Sequence, residues 1–329
     1  MKTVSFVIAL LLTGASVWEA MAQPVRATSS TSSEQTAPDH VIVFALEGVD
    51  QPALKAGPMP VLGRLVKEGS VTWSAKTVTP PLRLPAMASL LTGLPVEKHG
   101  VTWNTFEFSR GYLRPPTLFD YLDLSGGRDS AIFFMDESLY QLAKPEPYTD
   151  YQMCGPLKPE CSPERLVSYI RQYFQKASSG HGYGHAVLSL PHLLIVHLPD
   201  GGRAGVAHGW TSKDYRTALR SVDQAIGAVL EIFNEQGLLT RTTVFVTSLS
   251  GTGAANGQST TVSSLVPWIA FGAGIKAGHT IHQPVSIIDT GATVMRTLGL
   301  ETHMEWDSRA VEEIFRDTGA ISAIPTKGR

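Results

Sequence analysis

The sequence predicts an α/β protein with a mostly parallel central sheet and helices on both of its faces. Three observations support this fold class. Short apolar runs alternate along the chain with helical segments, which is typical of repeated strand–helix units. Several of these runs are continuously apolar and rich in β-branched residues, as expected for strands that are buried on both faces. No internal repeat and no convincing linker after residue 40 divides the chain, so we expect one domain.

The predicted elements of the N-terminal half begin with a buried strand at Val41–Leu46 (VIVFAL). A helix follows at Pro60–Glu68, and Val71–Thr77 returns as a strand. Pro85–Thr92 has a proline early and good helix formers after it, which favours the start of a second helix. The alternation continues through Leu118–Leu122, Ala131–Met135, Pro163–Gln175 and Leu193–His197.

The C-terminal half contains the longest helical segment, Ser212–Gln236. Two more core strands are expected at Thr242–Thr247 and Pro267–Phe271, and Thr290–Leu298 is the closing helix. The apolar face of the long helix consists of Tyr215, Leu219, Val222, Ile226, Val229 and Ile232.

The composition fits a large folded domain without a nucleic-acid partner. The chain has 329 residues, of which 43% are hydrophobic and 17% charged, so it can fill a sizeable core and is not a disordered chain. Lys+Arg 27 against Asp+Glu 29 gives a formal charge of −2. This balance argues against a basic surface for polyanions.

The N-terminus has the pattern of a secretory signal peptide. Lys2 supplies a short basic start, Val4–Leu12 is apolar, and Ala20 and Ala22 place small residues where a signal peptidase cleaves. We therefore expect an exported protein, periplasmic or secreted, without a transmembrane segment in the mature chain. The expected organisation is a signal peptide at 1–22, a flexible Ser/Thr-rich tether at 23–37, one domain at 38–320 and a tail at 321–329.

Two cysteines are present, Cys154 and Cys161. In an exported protein such a pair is expected to form a disulfide, and a loop this short contributes about 2 kcal/mol. A redox-active or metal-binding pair is the alternative, but the spacing matches neither CxxC nor a zinc knuckle.

Ligands of parallel sheets bind beyond the carboxyl ends of the strands. The segments that follow Leu46, Thr77, His197 and Thr247 are therefore the places to search for a site. Their order resembles the alkaline phosphatase superfamily, specifically its type I phosphodiesterase/nucleotide pyrophosphatase branch. The resemblance covers about residues 40–300. It is carried by Val41–Gly48, Met59–Gly69, Pro85–Gly100, His208–Ser212, Val266–Gly274 and Ile287–Leu300.

The most specific part of this resemblance is Ser89–Pro95 (SLLTGLP) followed by His99-Gly100. The resemblance implies an alkaline phosphatase-like fold with two divalent metal ions, commonly zinc, held by aspartates and histidines. It also implies a threonine, serine or formylglycine nucleophile at a helix N-terminus, where free N–H groups favour an anion. Two metals together can stabilise the attacking and leaving oxygens.

None of the seven functional positions implied by the resemblance keeps the expected residue. The first aspartate falls on Glu47, and the nucleophile falls on Arg83, two residues before Pro85. The remaining positions, all implied metal ligands, fall on Gly202, Val206, Leu249, Ser250 and Asn256.

These replacements predict a site that binds no metal and needs no cofactor. Leucine and valine have no ligand atoms, and an arginine stays protonated and repels zinc. Glu47 and Arg83 together carry no net charge, so we expect them to pair where the resemblance places a metal and the nucleophile. Glu47, Arg83 and Asn256 are the expected ligand-binding residues, and no residue is expected to be catalytic.

Other interpretations of these residues stay open. Glu47 could instead cap a neighbouring N–H group, and Arg83 could point into solvent. In another register Asp200, His208 and Glu47 could supply the three protein ligands of a catalytic zinc ion. His279 and His282 are close in sequence, but nothing in the sequence gives them a role.

Three functions are compatible with this sequence. The first is an inactive pseudoenzyme that binds an unknown protein or a ligand bearing phosphate or sulfate. The second is a metal-dependent phosphodiesterase or phosphatase with a rebuilt zinc site. The third is a structural or assembly protein of the cell envelope. Metal content distinguishes the second from the other two.

Overall fold

A computed structural model describes residues 38–56, 59–143, 149–153, 161–180, 182–183, 186–187, 189–253 and 262–316. These residues all fall in one compact unit. The predicted signal peptide, tether and tail lie outside them, and so do Cys154 and Asn256. The disulfide between Cys154 and Cys161 therefore stays a prediction. No helix of the described residues is long and apolar enough to cross a membrane.

The described strands and helices alternate along much of the chain. The strands are β1 (His40–Leu46), β2 (Ser70–Lys76), β3 (Ser130–Phe134), β4 (Thr149–Met153), β5 (Gly182–Tyr183), β6 (Ala186–Val187), β7 (Leu193–Leu198), β8 (Thr242–Ser248), β9 (Leu265–Gly272) and β10 (His279–Thr280). The helices are α1 (Gln51–Ala56), α2 (Pro60–Glu68), α3 (Arg83–Thr92), α4 (Val96–His99), α5 (Leu118–Leu124), α6 (Tyr140–Ala143), α7 (Pro163–Ser178), α8 (Asp200–His208), α9 (Lys213–Glu235) and α10 (Asp289–Thr297).

Eight of these strands form one sheet in the order β10-β2-β9-β8-β1-β7-β3-β4. β9 runs antiparallel to both of its neighbours, and the other pairs are parallel. β5 and β6 form a separate antiparallel pair. The predicted α/β class with a mostly parallel sheet is confirmed.

The core lies on both faces of this sheet. Successive side chains of a strand point to opposite faces, so β1 contributes to both halves of the core. Val41 and Val43 pack with α3, α5 and α10, whereas Ile42 and Phe44 pack with α2, α7 and α9. Because both faces are covered, β1 is buried along its whole length.

Local sequence explains where the main helices begin. Ser212 caps α9, since its Oγ accepts a hydrogen bond from the N–H of Tyr215 at 3.0 Å. Helix α2 begins at a proline and is capped from another element: the Asp223 carboxylate of α9 accepts from the N–H groups of Val61 and Leu62 at 3.0 and 2.8 Å. The cap also joins α2 to α9.

The predicted core strands and main helices are present, with ends that differ by a few residues. Helix α3 begins at Arg83 rather than at Pro85, so Arg83 is the first residue of the helix. Helix α8 was not predicted as a helix. Its sequence contains three glycines, which disfavour helix in isolation.

Candidate functional site

Four polar side chains meet at the carboxyl end of the sheet. Glu47 directly follows β1, and His197 is the residue before the end of β7. Asp136 comes two residues after β3, and Arg83 begins α3. Since β7 lies between β1 and β3, these strand ends are neighbours at one edge. We call Glu47, Arg83, Asp136 and His197 the ion cluster.

Arg83 and Glu47 form a two-contact ion pair at the centre of the cluster. The Arg83 Nε–H donates to Glu47 Oε1 at 2.5 Å, and Nη2 donates to Oε2 at 3.1 Å. The side chains are 17% and 9% exposed. The predicted pairing of these two residues is confirmed, and the alternative in which Arg83 points into solvent is wrong. Glu47 accepts from side chains rather than capping a backbone N–H.

Asp136 is the second carboxylate that holds Arg83. Its Oδ2 accepts from Arg83 Nη1 at 2.6 Å, and its Oδ1 accepts from the Oγ–H and N–H of Ser138 at 2.6 and 3.1 Å. Arg203 of α8 donates to the same Oδ2 at 3.1 Å and to the carbonyl oxygen of Met135 at 2.6 Å. Arg83 is therefore fixed from two sides, and Arg203 is the more exposed cation at 40%.

His197 lies beneath the ion pair and is fully buried. Its Nε2 is 2.8 Å from Glu47 Oε1. Burial lowers the pKa of His197, although the hydrogen bond and the charge of Glu47 oppose this effect. Because an ionised Glu47 can accept hydrogen bonds but cannot donate them, a neutral His197 donates to it from Nε2. Its Nδ1 is buried and has no hydrogen-bond partner.

The cluster keeps its charges in the ionised state. Burial alone would raise the pKa of Glu47, but the charge of Arg83 and the hydrogen bond from His197 outweigh it, so the pKa is lowered. The pKa of Asp136 is lowered in the same way, since the charge of Arg83 and the bonds from Ser138 overcome burial. With Arg83 and Arg203, the two carboxylates sum to zero charge.

Gly202 of α8 packs directly against Glu47. A Cβ placed on Gly202 would lie 2.8 Å from Glu47 Cβ and 3.2 Å from Oε2. An aspartate at position 202 therefore cannot fit beside the Glu47 side chain as it is placed. Because Gly202 has no side chain, it leaves the space that the Glu47 side chain occupies after β1.

Val206, Leu249 and Ser250, the other described positions that the resemblance assigns to metal ligands, do not present side-chain donors beside Glu47. Val206 is 72% exposed. Leu249 is fully buried in the core and follows β8, with its N–H bonded to the carbonyl of Leu46 at 2.7 Å. Ser250 contributes its carbonyl oxygen, which accepts from the N–H of Gly48 and the hydroxyl of Ser248 at 2.9 and 2.7 Å.

This donor set does not suit the two metal ions that the resemblance implies. Of the described residues at those positions, Glu47 alone carries a carboxylate, and a guanidinium occupies both of its oxygens. Zinc sites in proteins take three or four donors from histidine, cysteine and carboxylates. Gly202, Val206 and Leu249 have no donor atom in their side chains, and the hydroxyl of Ser250 is not one of these donor types.

The alternative zinc site at Asp200, His208 and Glu47 is not supported by the geometry. Asp200 begins the nine-residue helix α8 and His208 ends it. Eight helical steps of 1.5 Å separate the two residues by about 12 Å along the axis, too far for one ion. His208 is also exposed. Burial raises the pKa of Asp200 to about 6, and its Oδ2 is buried without a hydrogen-bond partner.

Asp136, His197 and Arg203 belong to the site but were not predicted from the sequence. A signal existed for two of them. His197 is the polar residue of an apolar strand, and Asp136 directly follows the strand predicted at Ala131–Met135. Arg203 lies in the unpredicted helix α8 and gave no signal of its own.

The mostly parallel sheet with helices on both faces is that of the alkaline phosphatase-like α/β proteins. A family model described as type I phosphodiesterase / nucleotide pyrophosphatase matches residues 41–301. The chain belongs to the type I phosphodiesterase/nucleotide pyrophosphatase family, as the sequence resemblance indicated. No curated protein sequence gives a significant match.

Solved structures with the same fold include phosphodiesterases and sulfatase-like proteins. Murine ectonucleotide pyrophosphatase/phosphodiesterase 5, in an inactive form with AMP, is 13% identical with a TM-score of 0.62, covering 84% of this chain and 100% of that one. BT4656, solved with its substrate D-glucosamine-2-N,6-O-disulfate, is 14% identical with a TM-score of 0.65, covering 89% and 82%. A Bacteroides thetaiotaomicron protein of glycosaminoglycan metabolism is 16% identical with a TM-score of 0.63, covering 88% and 79%. At these identities the likeness concerns the fold.

Proposed function

We propose that this chain is an exported, catalytically inactive member of its family, which acts by binding a partner rather than by hydrolysis. The observation that carries the proposal is Arg83, the first residue of α3, held by the carboxylates of Glu47 and Asp136. The family resemblance implies a hydroxyl or formylglycine nucleophile at this position. A guanidinium stays protonated in proteins and cannot attack phosphorus or sulfur.

The contacts of the ion cluster support this proposal. Both carboxylate oxygens of Glu47 accept hydrogen bonds from Arg83. The close approach of Gly202 leaves no room for a second carboxylate beside Glu47. Hydrolysis in the family depends on metal ions that stabilise the charge developing on oxygen. The carboxylates of Glu47 and Asp136 are balanced by Arg83 and Arg203 instead, so they have little affinity for a cation.

Hydrolysis assays test the proposal directly. The purified protein should be incubated with bis(4-nitrophenyl) phosphate, 4-nitrophenyl phosphate and 4-nitrophenyl sulfate, each with zinc, manganese or calcium in turn. We expect rates equal to those of a Glu47→Gln variant prepared in parallel, which controls for contaminating hydrolases. Metal-dependent turnover that Glu47→Gln abolishes would establish the hydrolase alternative.

The charge balance also bears on the class of ligand. A phosphate or sulfate group approaching the cluster meets Arg203 first, but Asp136 already pairs with both arginines. This arrangement favours a protein partner over a small anion. Isothermal titration with inorganic phosphate and with AMP should therefore give no measurable heat of binding. AMP binding that Arg203→Ala weakens tenfold would instead identify a small-molecule ligand.

Export is supported by the signal-like segment at 1–22. Expression of the full chain in a Gram-negative host should yield a periplasmic protein whose N-terminus, determined by mass spectrometry, is Gln23. Retention of Met1 on a cytoplasmic product would contradict this part of the proposal.

A further inference from the structure

His279, His282 and Glu313 form a group of metal-binding side chains far from the ion cluster. One ligand atom from each of the three lies within 4.8 Å of the others, and this is the one such group among the described residues. His279 begins β10 at the edge of the sheet, four strands away from β1. At about 4.8 Å per strand, the two places are separated by about 19 Å across the sheet.

The carboxylate of Glu313 is oriented by the backbone. Its Oε1 accepts from the N–H groups of His282 and Gln283 at 2.5 and 2.8 Å. These two bonds leave Oε2 directed at the imidazoles, 3.8 Å from His279 Nε2 and 3.9 Å from His282 Nδ1. Hydrogen bonds that hold the second oxygen of a ligating carboxylate are typical of metal sites.

The distances within the group are too long for direct hydrogen bonds. At 3.8 and 3.9 Å, neither imidazole nitrogen is bonded to Glu313 Oε2. His279 Nε2 is buried and has no hydrogen-bond partner. Buried polar nitrogens normally have one, so this atom lacks a partner that an ion would supply.

The gap between the three atoms has the size of a small divalent cation. Zinc binds imidazole nitrogen and carboxylate oxygen at roughly 2.0–2.2 Å, which separates ligand atoms of a tetrahedral shell by roughly 3.4 Å. The two observed histidine–glutamate distances exceed this value by about half an ångström. His282 is 77% exposed, so its ring can move to close the shell.

The backbone already holds the two sides of the group together. The N–H of His279 bonds to the carbonyl of Gly69, which fixes β10 to the edge of β2. Glu313 lies in a 3-10 turn, Glu312–Ile314, and this turn is joined to the segment before β10 by a bond from the N–H of Lys276 to the carbonyl of Ile314 at 2.8 Å. The ligands thus come from a scaffold that is assembled without the ion.

We propose that His279, His282 and Glu313 bind one divalent transition-metal ion of the zinc type, with the remaining coordination position open to water. Two imidazoles and one carboxylate form a three-ligand set that proteins use for zinc. The ion would connect the end of β10 with the C-terminal turn, and it would lie outside the family's catalytic edge of the sheet.

Zinc titration of the purified protein, without a histidine tag, tests this proposal. Isothermal calorimetry should give one Zn²⁺ per chain, and Co²⁺ should produce a visible absorption band in the same stoichiometry. His282→Ala and Glu313→Gln should each weaken binding at least ~10-fold. Glu313→Gln keeps an oxygen for the two backbone N–H groups, so it should fold normally.

His208→Ala is the matched control, because His208 is another exposed histidine. It belongs to the alternative zinc site, with Asp200 and Glu47, at the carboxyl end of the sheet. We expect this variant to bind zinc as the unchanged protein does. Absence of binding in the unchanged protein, or equal affinity in all variants, would overturn the proposal. Zinc binding that His208→Ala abolishes and His282→Ala leaves intact would overturn the proposal too. It would place the zinc ion at the carboxyl end of the sheet and so also contradict the proposal that this end is catalytically inactive.

Discussion

Arg83 and Glu47 depend on each other at the scale of single residues. A buried carboxylate is stable only when an opposite charge or several hydrogen bonds compensate for lost hydration. Glu47 receives this compensation from Arg83 and His197, and Arg83 receives it from Glu47 and Asp136. Loss of Arg83 alone would leave the buried Glu47 with only the hydrogen bond from His197, whereas loss of the Glu47 charge leaves Arg83 paired with Asp136.

Replacing Arg83 by methionine should therefore be costly. We expect Arg83→Met to lower the free energy of unfolding by roughly 3 to 5 kcal/mol, since Glu47 stays buried without its cation. Adding Glu47→Gln to Arg83→Met should recover part of this loss. Urea denaturation of the two single variants and the double variant measures the coupling. Lys98→Met, which breaks the exposed pair with Asp307, should cost no more than about 1 kcal/mol.

The same pair predicts how stability depends on pH. The pKa of Glu47 is lowered from its ordinary value of 4.5, so the unfolded chain takes up the proton first as the pH falls. The pair therefore stabilises the fold above pH 4.5, and this contribution is lost as the pH falls through the lowered pKa. In Arg83→Met burial raises the pKa of Glu47 and the sign reverses. The stability difference between the two proteins should shrink between about pH 7 and about pH 4. A constant difference in denaturation at both pH values would contradict this account.

At the scale of elements, α8 shows why part of the fold was not predictable. Its glycines lower the helix propensity, but they allow the helix to approach β1 and the loop after it. A Cβ on Gly201 would lie 2.7 Å from the carbonyl oxygen of Glu47, and one on Gly205 would lie 2.2 Å from the Trp210 ring. The formation of α8 therefore depends on tertiary packing. The formation of α9 follows from its local sequence, which has a serine cap and a continuous apolar face.

Substitution of Gly202 tests the close approach of α8. Gly202→Ala should lower the free energy of unfolding by about 1 to 3 kcal/mol, because its Cβ meets Glu47 Cβ at 2.8 Å. Gly63→Ala in α2 is the control, since nothing lies within 4 Å of its Cβ. That change should raise stability by about 0.5 to 1 kcal/mol through helix propensity. Equal effects of the two substitutions in thermal denaturation would show that α8 can move away from β1.

The candidate site was predictable in its central pair and not in its surroundings. Opposite charges at two positions that the family resemblance places together were enough to predict the Glu47–Arg83 contact. The contributions of Asp136 and Arg203 depend on how β3 and α8 are placed beside β7, which is a property of the sheet order. The order of the strands in the sheet cannot be predicted from a single sequence by local pattern alone.

At the scale of the whole molecule, the core is completed by a segment beyond the family match, which ends at residue 301. Trp306 is buried against Gly93, the residue after α3, and lies edge-on to Tyr121 with ring centroids 5.2 Å apart. The N–H groups of Asp307 and Ser308 both donate to the carbonyl of Gly93 at 3.1 Å. The segment thus covers the C-terminal end of α3, the helix that carries Arg83.

Trp306→Ala should consequently destabilise the entire domain, by about 3 to 5 kcal/mol in chemical denaturation. Met304→Ala, two residues earlier and 93% exposed in the unchanged protein, should alter stability by less than about 0.5 kcal/mol. A Trp306→Ala effect no larger than that of the control would mean that residues after 301 are not part of the cooperative unit.

The balanced charges of the ion cluster also determine the field that a visiting molecule experiences at this edge of the sheet. Two guanidinium groups and two carboxylates within hydrogen-bonding distance cancel one another beyond a few ångströms. The cluster therefore does not steer charged molecules from a distance, in contrast to clefts lined by one sign of charge. A partner that docks over it will associate at a rate set by shape and by the rest of the surface, and added salt will change the contribution of this edge very little.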